Sequence, residues 1–136
     1  MVKVAPYLSF NGTCAEAFAF YKTVFGGTIP MQMRYSEAPT PASDADRDRI
    51  MHTRLVLDGQ EIMGSDSPSA RPHTGVAGMS VMMEFPTVEA THTAFKTLSE
   101  GGQVGMPMSE TFWTKAFGTV VDRFGTSWLI GCEVTT

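Results

Sequence analysis

Hydrophobic and polar residues alternate along positions 4–10, and the period then lengthens: Phe18, Tyr21 and Phe25 recur at i, i+3 and i+7, with Ala17, Phe20 and Val24 beside them. Alternation predicts a strand and the longer period a helix. Asn11-Gly12 turns the chain between the two. Thr13-Cys14-Ala15-Glu16 reads as a capping box, the Thr13 hydroxyl accepting from the Glu16 amide while the Glu16 side chain reaches back. Gly26-Gly27 stops the helix, because glycine takes the left-handed conformation that commonly follows a helical C terminus. The order then returns: 80–85 reads as a strand, Val88, Thr91, Phe95 and Leu98 have helical spacing, and Gly101-Gly102 follows. At an offset of 75, Ala15, Ala19, Phe20, Gly26 and Gly27 fall on Ala90, Ala94, Phe95, Gly101 and Gly102, which predicts an internal duplication.

Extended segments are predicted at 28–35, 50–57 and 60–65 after the first helix, and at 103–108, 112–121 and 127–134 after the second. Each half is therefore strand, helix, strand, strand, strand: an α+β chain of two tandem modules with curled, mostly antiparallel sheets. Module one spans 1–66 and module two 78–136 within a single domain, 1–136. The linker 67–77 is rich in Pro, Ser, Gly and Arg. The segment 36–49, with two Pro and three Asp, is expected to be disordered, a lid being the alternative.

Asp58-Gly59 between two alternating runs is the signature of a two-residue hairpin turn with positive φ at both central positions. It sets a register in which Leu57 opposes Gln60, Val56 Glu61, Arg54 Met63 and His52 Ser65. Opposed residues share a face. One face then shows His52, Arg54, Met63 and Ser65. The other shows Met51, Thr53, Leu55, Leu57, Ile62 and Gly64, which is the face a helix covers. In the first strand the same parity places Val4, Pro6, Leu8 and Phe10 under the helix and Ala5, Tyr7 and Ser9 opposite. A mixed polar and apolar uncovered face suits a cavity wall.

Composition narrows the classes. At 136 residues, with 43% hydrophobic and 18% charged residues, the chain can bury one core. The net charge is -4 and the basic residues are scattered, so no stripe exists to neutralise phosphates, and nucleic acid is not an expected partner. No signal-like or membrane-length apolar run occurs, which predicts a cytoplasmic protein without a membrane partner. Cys14 and Cys132, at opposite ends of the chain, form neither a disulfide framework nor a zinc motif. Cys132 and Trp128 read as core. Of the ten methionines, Met63 and Met82 fall on the cavity side, where flexible thioethers adapt to varied apolar ligands. Met31, Met33, Met51, Met79, Met83, Met106 and Met108 read as strand-core filler.

Several strings carry a resemblance: Tyr7-Leu8-Ser9-Phe10, Ala15-Glu16-Ala17-Phe18, the run from Phe20 through Phe25 to Gly26-Gly27, His52 ahead of Asp58-Gly59, Gly64-Ser65-Asp66, Phe112-Trp113, and Asp122-Arg123-Phe124-Gly125-Thr126-Ser127-Trp128. Together they resemble the PhnB-like branch of the glyoxalase, bleomycin-resistance and extradiol-dioxygenase superfamily, also called vicinal oxygen chelate. The resemblance implies two modules forming a cup, commonly completed across a homodimer. It also implies a divalent metal held from the first and last strands of both modules. The corresponding positions here are Ala5, Met63, Ser80 and Leu129, which do not offer the imidazole and carboxylate donors of that site. A cofactor-free, metal-independent protein is therefore expected. A ubiquinone-methyltransferase label travels with some PhnB-like proteins. Binding S-adenosylmethionine in the Rossmann manner needs a glycine-rich turn between a parallel strand and a helix, whereas both Gly pairs here follow helices.

The site expected from these residues consists of Tyr7, Ser9, His52, Arg54, Met63, Ser65, Met82, Glu84 and Trp113, binding a small organic molecule. His52 is the candidate general base, with a structural cross-sheet hydrogen bond as its other reading. Arg54 either meets an anionic ligand or pairs with Glu61 or Glu84. Tyr7 and Trp113 offer aromatic walls, and no turn fixes which face Trp113 takes. A displaced metal site using His52 with Glu61 or Glu84 would need a third ligand. His73 and His92 are expected at the surface. Cys14, near a helix N terminus, has the position of a thiol with lowered pKa. The expected function is metal-independent binding or sequestration. The alternative is a lyase, isomerase or dioxygenase-type enzyme using His52 or displaced metal ligands, and a third possibility is an interaction module whose cavity is filled by its own side chains.

Overall fold

The computed structural model describes residues 2–39, 42–71 and 73–134, and its first half is organised by the Asp58-Gly59 turn. Asp58 (φ 48°) and Gly59 (φ 80°) both take positive φ, as a hairpin of this kind demands. The elements are β1 (Tyr7–Phe10), α1 (Cys14–Phe25), β2 (Thr28–Arg34), β3 (Ile50–Leu57) and β4 (Gln60–Asp66). Their sheet runs β1-β4-β3-β2. Leu57 opposes Gln60, Val56 opposes Glu61 and Arg54 opposes Met63, the register set by the turn. β1 joins β4 in parallel.

The covered face is apolar because α1 lies on it. Phe10, Phe18 and Tyr21 are fully buried and meet edge-on or tilted, with Phe18 and Tyr21 centroids 5.7 Å apart. Each such side chain stabilises the fold by roughly 1.5–3 kcal/mol through burial. Gly64 on β4 makes room for Phe18: a Cβ there would sit 2.6 Å from the ring.

Three local expectations are corrected in this half. Val4 is exposed, because β1 begins only at Tyr7 and the alternation upstream has no strand to orient it. Thr13 makes no side-chain cap. The Asp66 carboxylate at the end of β4 accepts instead, from the amides of Gly12 (2.8 Å) and Cys14 (3.0 Å), and with its other oxygen from Ile50 (2.9 Å). Segment 36–49 is also ordered over its described residues. Tyr35–Glu37 forms a 3-10 turn, and buried Asp46 accepts from the Ser69 amide and the Ser43 hydroxyl. Those bonds, the Ser69 amide first, hold the Asp46 carboxyl below its ordinary range. Arg49 ties the segment to Asn11 and to the Ser67 carbonyl.

The second half repeats the topology with β5 (Val81–Phe85), α2 (Val88–Ser99), β6 (Gln103–Val104), β7 (Phe117–Val121) and β8 (Ser127–Cys132), in the order β5-β8-β7-β6. The chain is thus an α+β fold of two tandem modules, falling into the units Met1–Gly75 and Val76–Thr136. Trp128, Ile130 and Val120 form the core under α2, and Cys132 is buried as expected. The strand expected at 103–108 stops after two residues, since Thr119 takes over the pairing: its carbonyl accepts from Gly105 and its hydroxyl from the Met106 amide. The strand expected from 112 begins at Phe117, and the stretch before it is a loop closed by Thr111 and Thr114.

The duplication is real but its registers differ along the chain. Gly27 and Gly102 occupy equivalent places at the predicted offset: a Cβ on either would meet the Val56 or the Val121 carbonyl at 2.3 Å. The helices do not follow that offset. α1 buries Cys14, Ala17, Phe18 and Tyr21, whereas α2 buries Thr91, Ala94, Phe95 and Leu98, which is the same spacing 77 residues on. Ala19 is exposed where Ala94 is buried, and the three identities that fall in the helices, Ala15, Ala19 and Phe20 against Ala90, Ala94 and Phe95, do not mark equivalent positions.

Candidate functional site

The pleat decides which side chains of the first sheet stay uncovered. Tyr7 opposes Met63 and Ser9 opposes Ser65 across β1 and β4, and Arg54 opposes Met63 across β3 and β4. All six residues expected here from sequence, Tyr7, Ser9, His52, Arg54, Met63 and Ser65, therefore share the face opposite α1. Met31 opposes Arg54 and Met33 opposes His52 from β2, so these two methionines line the open face and are not core filler. Met79 and Met106 are not core either, both lying exposed in loops.

Within this face the Tyr7 hydroxyl and His52 Nδ1 are 3.0 Å apart, and the two rings lie 5.6 Å centroid to centroid at 19°. Tyr7 remains half exposed. Arg54 Nη1 donates to Glu61 Oε1 at 3.0 Å, the structural pairing foreseen as one of its two roles. A part-exposed pair of this kind contributes on the order of 0.5 kcal/mol. Tyr35, which sequence reasoning missed, donates to the Asp66 carbonyl at 2.9 Å. Burial pushes its phenol above the ordinary range, and the nearby Asp46 carboxylate adds to the effect. Its signal in sequence was weak, a lone tyrosine opening a Pro- and Asp-rich segment.

Cys14 is no reactive thiol. Burial pushes its pKa up and the Asp66 carboxylate raises it further, so the helix N terminus that would have favoured a thiolate is already occupied by a carboxylate. His92 is exposed and His73 half-buried.

The second sheet has its own uncovered face. Met82 opposes Leu129 and Glu84 opposes Gly131 across β5 and β8, while Phe117 opposes Gly131 from β7. Gly131 leaves a shallow place there: a Cβ would lie 3.0 Å from Met82 Cε and 3.4 Å from the Phe117 ring. Trp113 packs edge-on against Phe117 at 5.5 Å, and Phe112 against Trp113 at 4.9 Å. Trp113 thus reaches Phe117, a contact the sequence left open, and Met82 and Glu84 stand on the same sheet face. Phe117 was missed, although its place opposite a glycine in an antiparallel pair is the clue. A groove of about 430 Å³ is lined by Phe112, Trp113 and Lys115 together with Thr87, Val88 and Val134. Phe112 is 97% exposed at its edge.

Residues 2–131 match the family described as 3-demethylubiquinone-9 3-methyltransferase. The chain belongs to that family. This family member is 31% identical to Protein YjdN of Escherichia coli (strain K12) over 138 residues, covering 93% of the chain and 92% of YjdN. It shares 39% identity and a TM-score of 0.93 with protein PA1353 from Pseudomonas aeruginosa, over 98% of each chain. A PhnB protein from Bacillus cereus is 29% identical with a TM-score of 0.81, over 97% of this chain and all of that one (100%). At 14% identity, a glyoxalase/bleomycin resistance protein/dioxygenase family enzyme from Burkholderia phytofirmans PsJN shares the fold, with a TM-score of 0.62 over 94% and 95% of the two chains. The PhnB-like chain therefore has the fold of glyoxalase/bleomycin resistance protein/dioxygenase proteins.

The metal site of the glyoxalase superfamily can be tested against the donors of this PhnB-like chain. Ala5 and Leu129 have no donor, Met63 offers a thioether, and the Ser80 hydroxyl is 2.6 Å from the Ser127 hydroxyl. Among the described residues no group of three His, Cys, Asp or Glu side chains is placed to hold a metal ion, and Glu61 is engaged by Arg54. The residues present do not fit the family's divalent metal. Among the described residues no helix is long and apolar enough to cross a membrane.

Proposed function

We propose that the chain binds a small, partly apolar organic molecule on an uncovered sheet face and sequesters it, without a bound metal, acting as a homodimer in the cytosol. The observation that carries this reading is aromatic and thioether surface held open beside fixed polar groups. Tyr7 stacks on His52 with Met33 and Met63 as strand neighbours in the first unit, and in the second Met82 and Phe117 meet over Gly131 with Trp113 packed against Phe117. A core that simply needed filling would not leave rings exposed beside a groove of ligand size.

Methyl transfer, the activity in the family's descriptive name, finds less support. The strand-to-helix turn of the first unit, where a Rossmann protein holds its cofactor, has its Gly12 and Cys14 amides satisfied by Asp66.

A native mass spectrum of protein purified without chelators tests the proposal. A dimer mass with a retained small organic ligand and no metal is the expected result; stoichiometric divalent metal overturns it. One observation favours a second reading. The Tyr7 hydroxyl within hydrogen-bond distance of His52 is how a catalytic base is oriented, so His52 acting as acid or base in a lyase or isomerase is the alternative. His52→Ala then abolishes turnover of an identified substrate while sparing its binding, whereas the sequestration reading has binding fall with His52.

A further inference from the structure

Resting on the binding reading, the Tyr7–His52 contact points to the chemistry of the ligand. A phenol hydroxyl is a better donor than acceptor, and the bare nitrogen of a neutral imidazole is a strong acceptor. At 3.0 Å the favoured arrangement has Tyr7 donating to Nδ1, which leaves the imidazole proton on Nε2. Among the described residues the Tyr7 hydroxyl is the ring's one hydrogen-bond partner. Arg54, two residues along β3 on the same face, is engaged by Glu61.

We infer that Tyr7 is a positioning residue that fixes His52 as the Nε2–H tautomer, so that this face selects a planar molecule carrying a carboxylate, whose oxygen accepts from Nε2. Planarity follows from the near-parallel Tyr7 and His52 rings, stacked 5.6 Å apart at 19°, with Tyr7 half exposed to stack on a flat ligand in turn. Met33, opposite His52, and Met63, opposite Tyr7, supply adaptable apolar contact around that surface. Without the phenol, a carboxylate and a donor-bearing ligand would compete for either nitrogen. With it, the neutral ring presents a donor.

Two measurements test this, using the full chain and benzoate as the probe. Ring nitrogen-15 spectra, with His52 identified by its loss in a variant, are expected to show an acceptor-type signal at Nδ1 and a protonated one at Nε2. Tyr7→Phe is expected to mix the two forms. Benzoate is expected to bind with its His52 Nε2 signal shifting saturably, and benzylammonium, the same ring without an acceptor, is not. His52→Leu is expected to weaken benzoate by about tenfold or more, the scale of one hydrogen bond to a charged group. His52→Gln, whose side-chain amide can place an N–H near the position of Nε2, is expected to restore most of that loss. Circular dichroism and melting of each variant establish that it folds. A protonated Nδ1 in the wild type, or a tautomer unchanged in Tyr7→Phe, overturns the inference while leaving the binding reading intact. Benzoate binding indifferent to His52→Leu, or absent while a neutral or cationic ligand is retained in the native mass spectrum, overturns it too. No ligand by either method sinks the binding reading along with it.

Discussion

The two modules share a topology and differ in where their helices press on the sheet. α1 buries its first residue, Cys14, and its contact spacing runs Cys14, Ala17, Phe18, Tyr21; α2 starts the same spacing at its fourth residue, Thr91. The ring that anchors each helix meets a glycine in the same ladder row. Phe18 lies over Gly64 of β4, whose partner is Thr53 of β3, and Phe95 lies over Gly118 of β7, whose partner is Ile130 of β8. One module opened its sheet on one strand, the other on the neighbouring strand. The consequence reaches the helix ends. A helix whose first turn is buried needs a buried acceptor for its free amides, and Asp66 provides it; a helix that starts in the open is served by its own threonine, with Thr87 accepting from Ala90 at 3.1 Å.

The largest effect expected from this difference is at Asp66. Asp66→Ala removes the acceptor of three amides belonging to the β1–α1 turn, the α1 N terminus and the start of β3, and should cost about 4 kcal/mol. The buried carboxylate of the second module, Asp122, also accepts from the Phe124 and Thr126 amides of its own turn and from the Trp128 indole at the start of β8. That turn keeps backbone bonds between Asp122 and Thr126 and from Gly125 to Asp122 when the side chain goes. Asp122→Ala should therefore cost about 1 kcal/mol less than Asp66→Ala. Urea unfolding of the two variants decides it, and an equal or reversed order would break the account of why the modules differ.

Next in size is the glycine row. Gly64→Ala places a methyl 2.6 Å from the Phe18 ring and Gly118→Ala places one 2.8 Å from Phe95, and either should cost about 2 kcal/mol by forcing the ring off its seat. Shortening the ring sharpens the comparison. Phe18→Leu should recover part of the Gly64→Ala loss and none of the Gly118→Ala loss, a coupling read from a double-mutant cycle in thermal melts. Recovery across modules would mean that the two contacts are not independent.

Much of this was legible because it is local. The Asp58-Gly59 turn set a register that placed His52 and Arg54 with Met63 on one face, and β3 spans the residues predicted for it. What failed depended on distant partners. The capping box at Thr13 lost to a carboxylate 53 residues downstream, and the same carboxylate turned the position of a reactive Cys14 into that of an inert one. Segment 36–49 has the composition of a disordered loop, yet Asp46 and Arg49 find partners at Ser69, Asn11 and Ser67. For the candidate site, parity along β1 and β3 put Tyr7 and His52 on a common face, but their hydrogen bond depends on how β1 joins β4 in parallel, which no turn dictates. Phe117 escaped notice because its strand begins five residues later than its pattern suggested.

The smallest expected effect isolates the capping argument from the packing around it. Thr87 has extended backbone (φ -131°, ψ 155°) and its hydroxyl accepts from the Ala90 amide, whereas Thr13 (φ -108°, ψ 10°) makes no such bond. Thr87→Ala should therefore cost about 1 kcal/mol, the usual loss of a helix cap, and Thr13→Ala only a few tenths, about the background of a surface change. Combining Thr13→Ala with Asp66→Ala extends the comparison. If the threonine is a reserve cap that takes over once the carboxylate is gone, the pair should be worse than the sum of the single changes. If the buried first turn admits no local substitute, as the burial of Cys14 implies, the losses should add within about 0.5 kcal/mol. Additivity would place the difference between the modules in which turn of each helix is buried, and a marked excess would return it to the cap residues themselves.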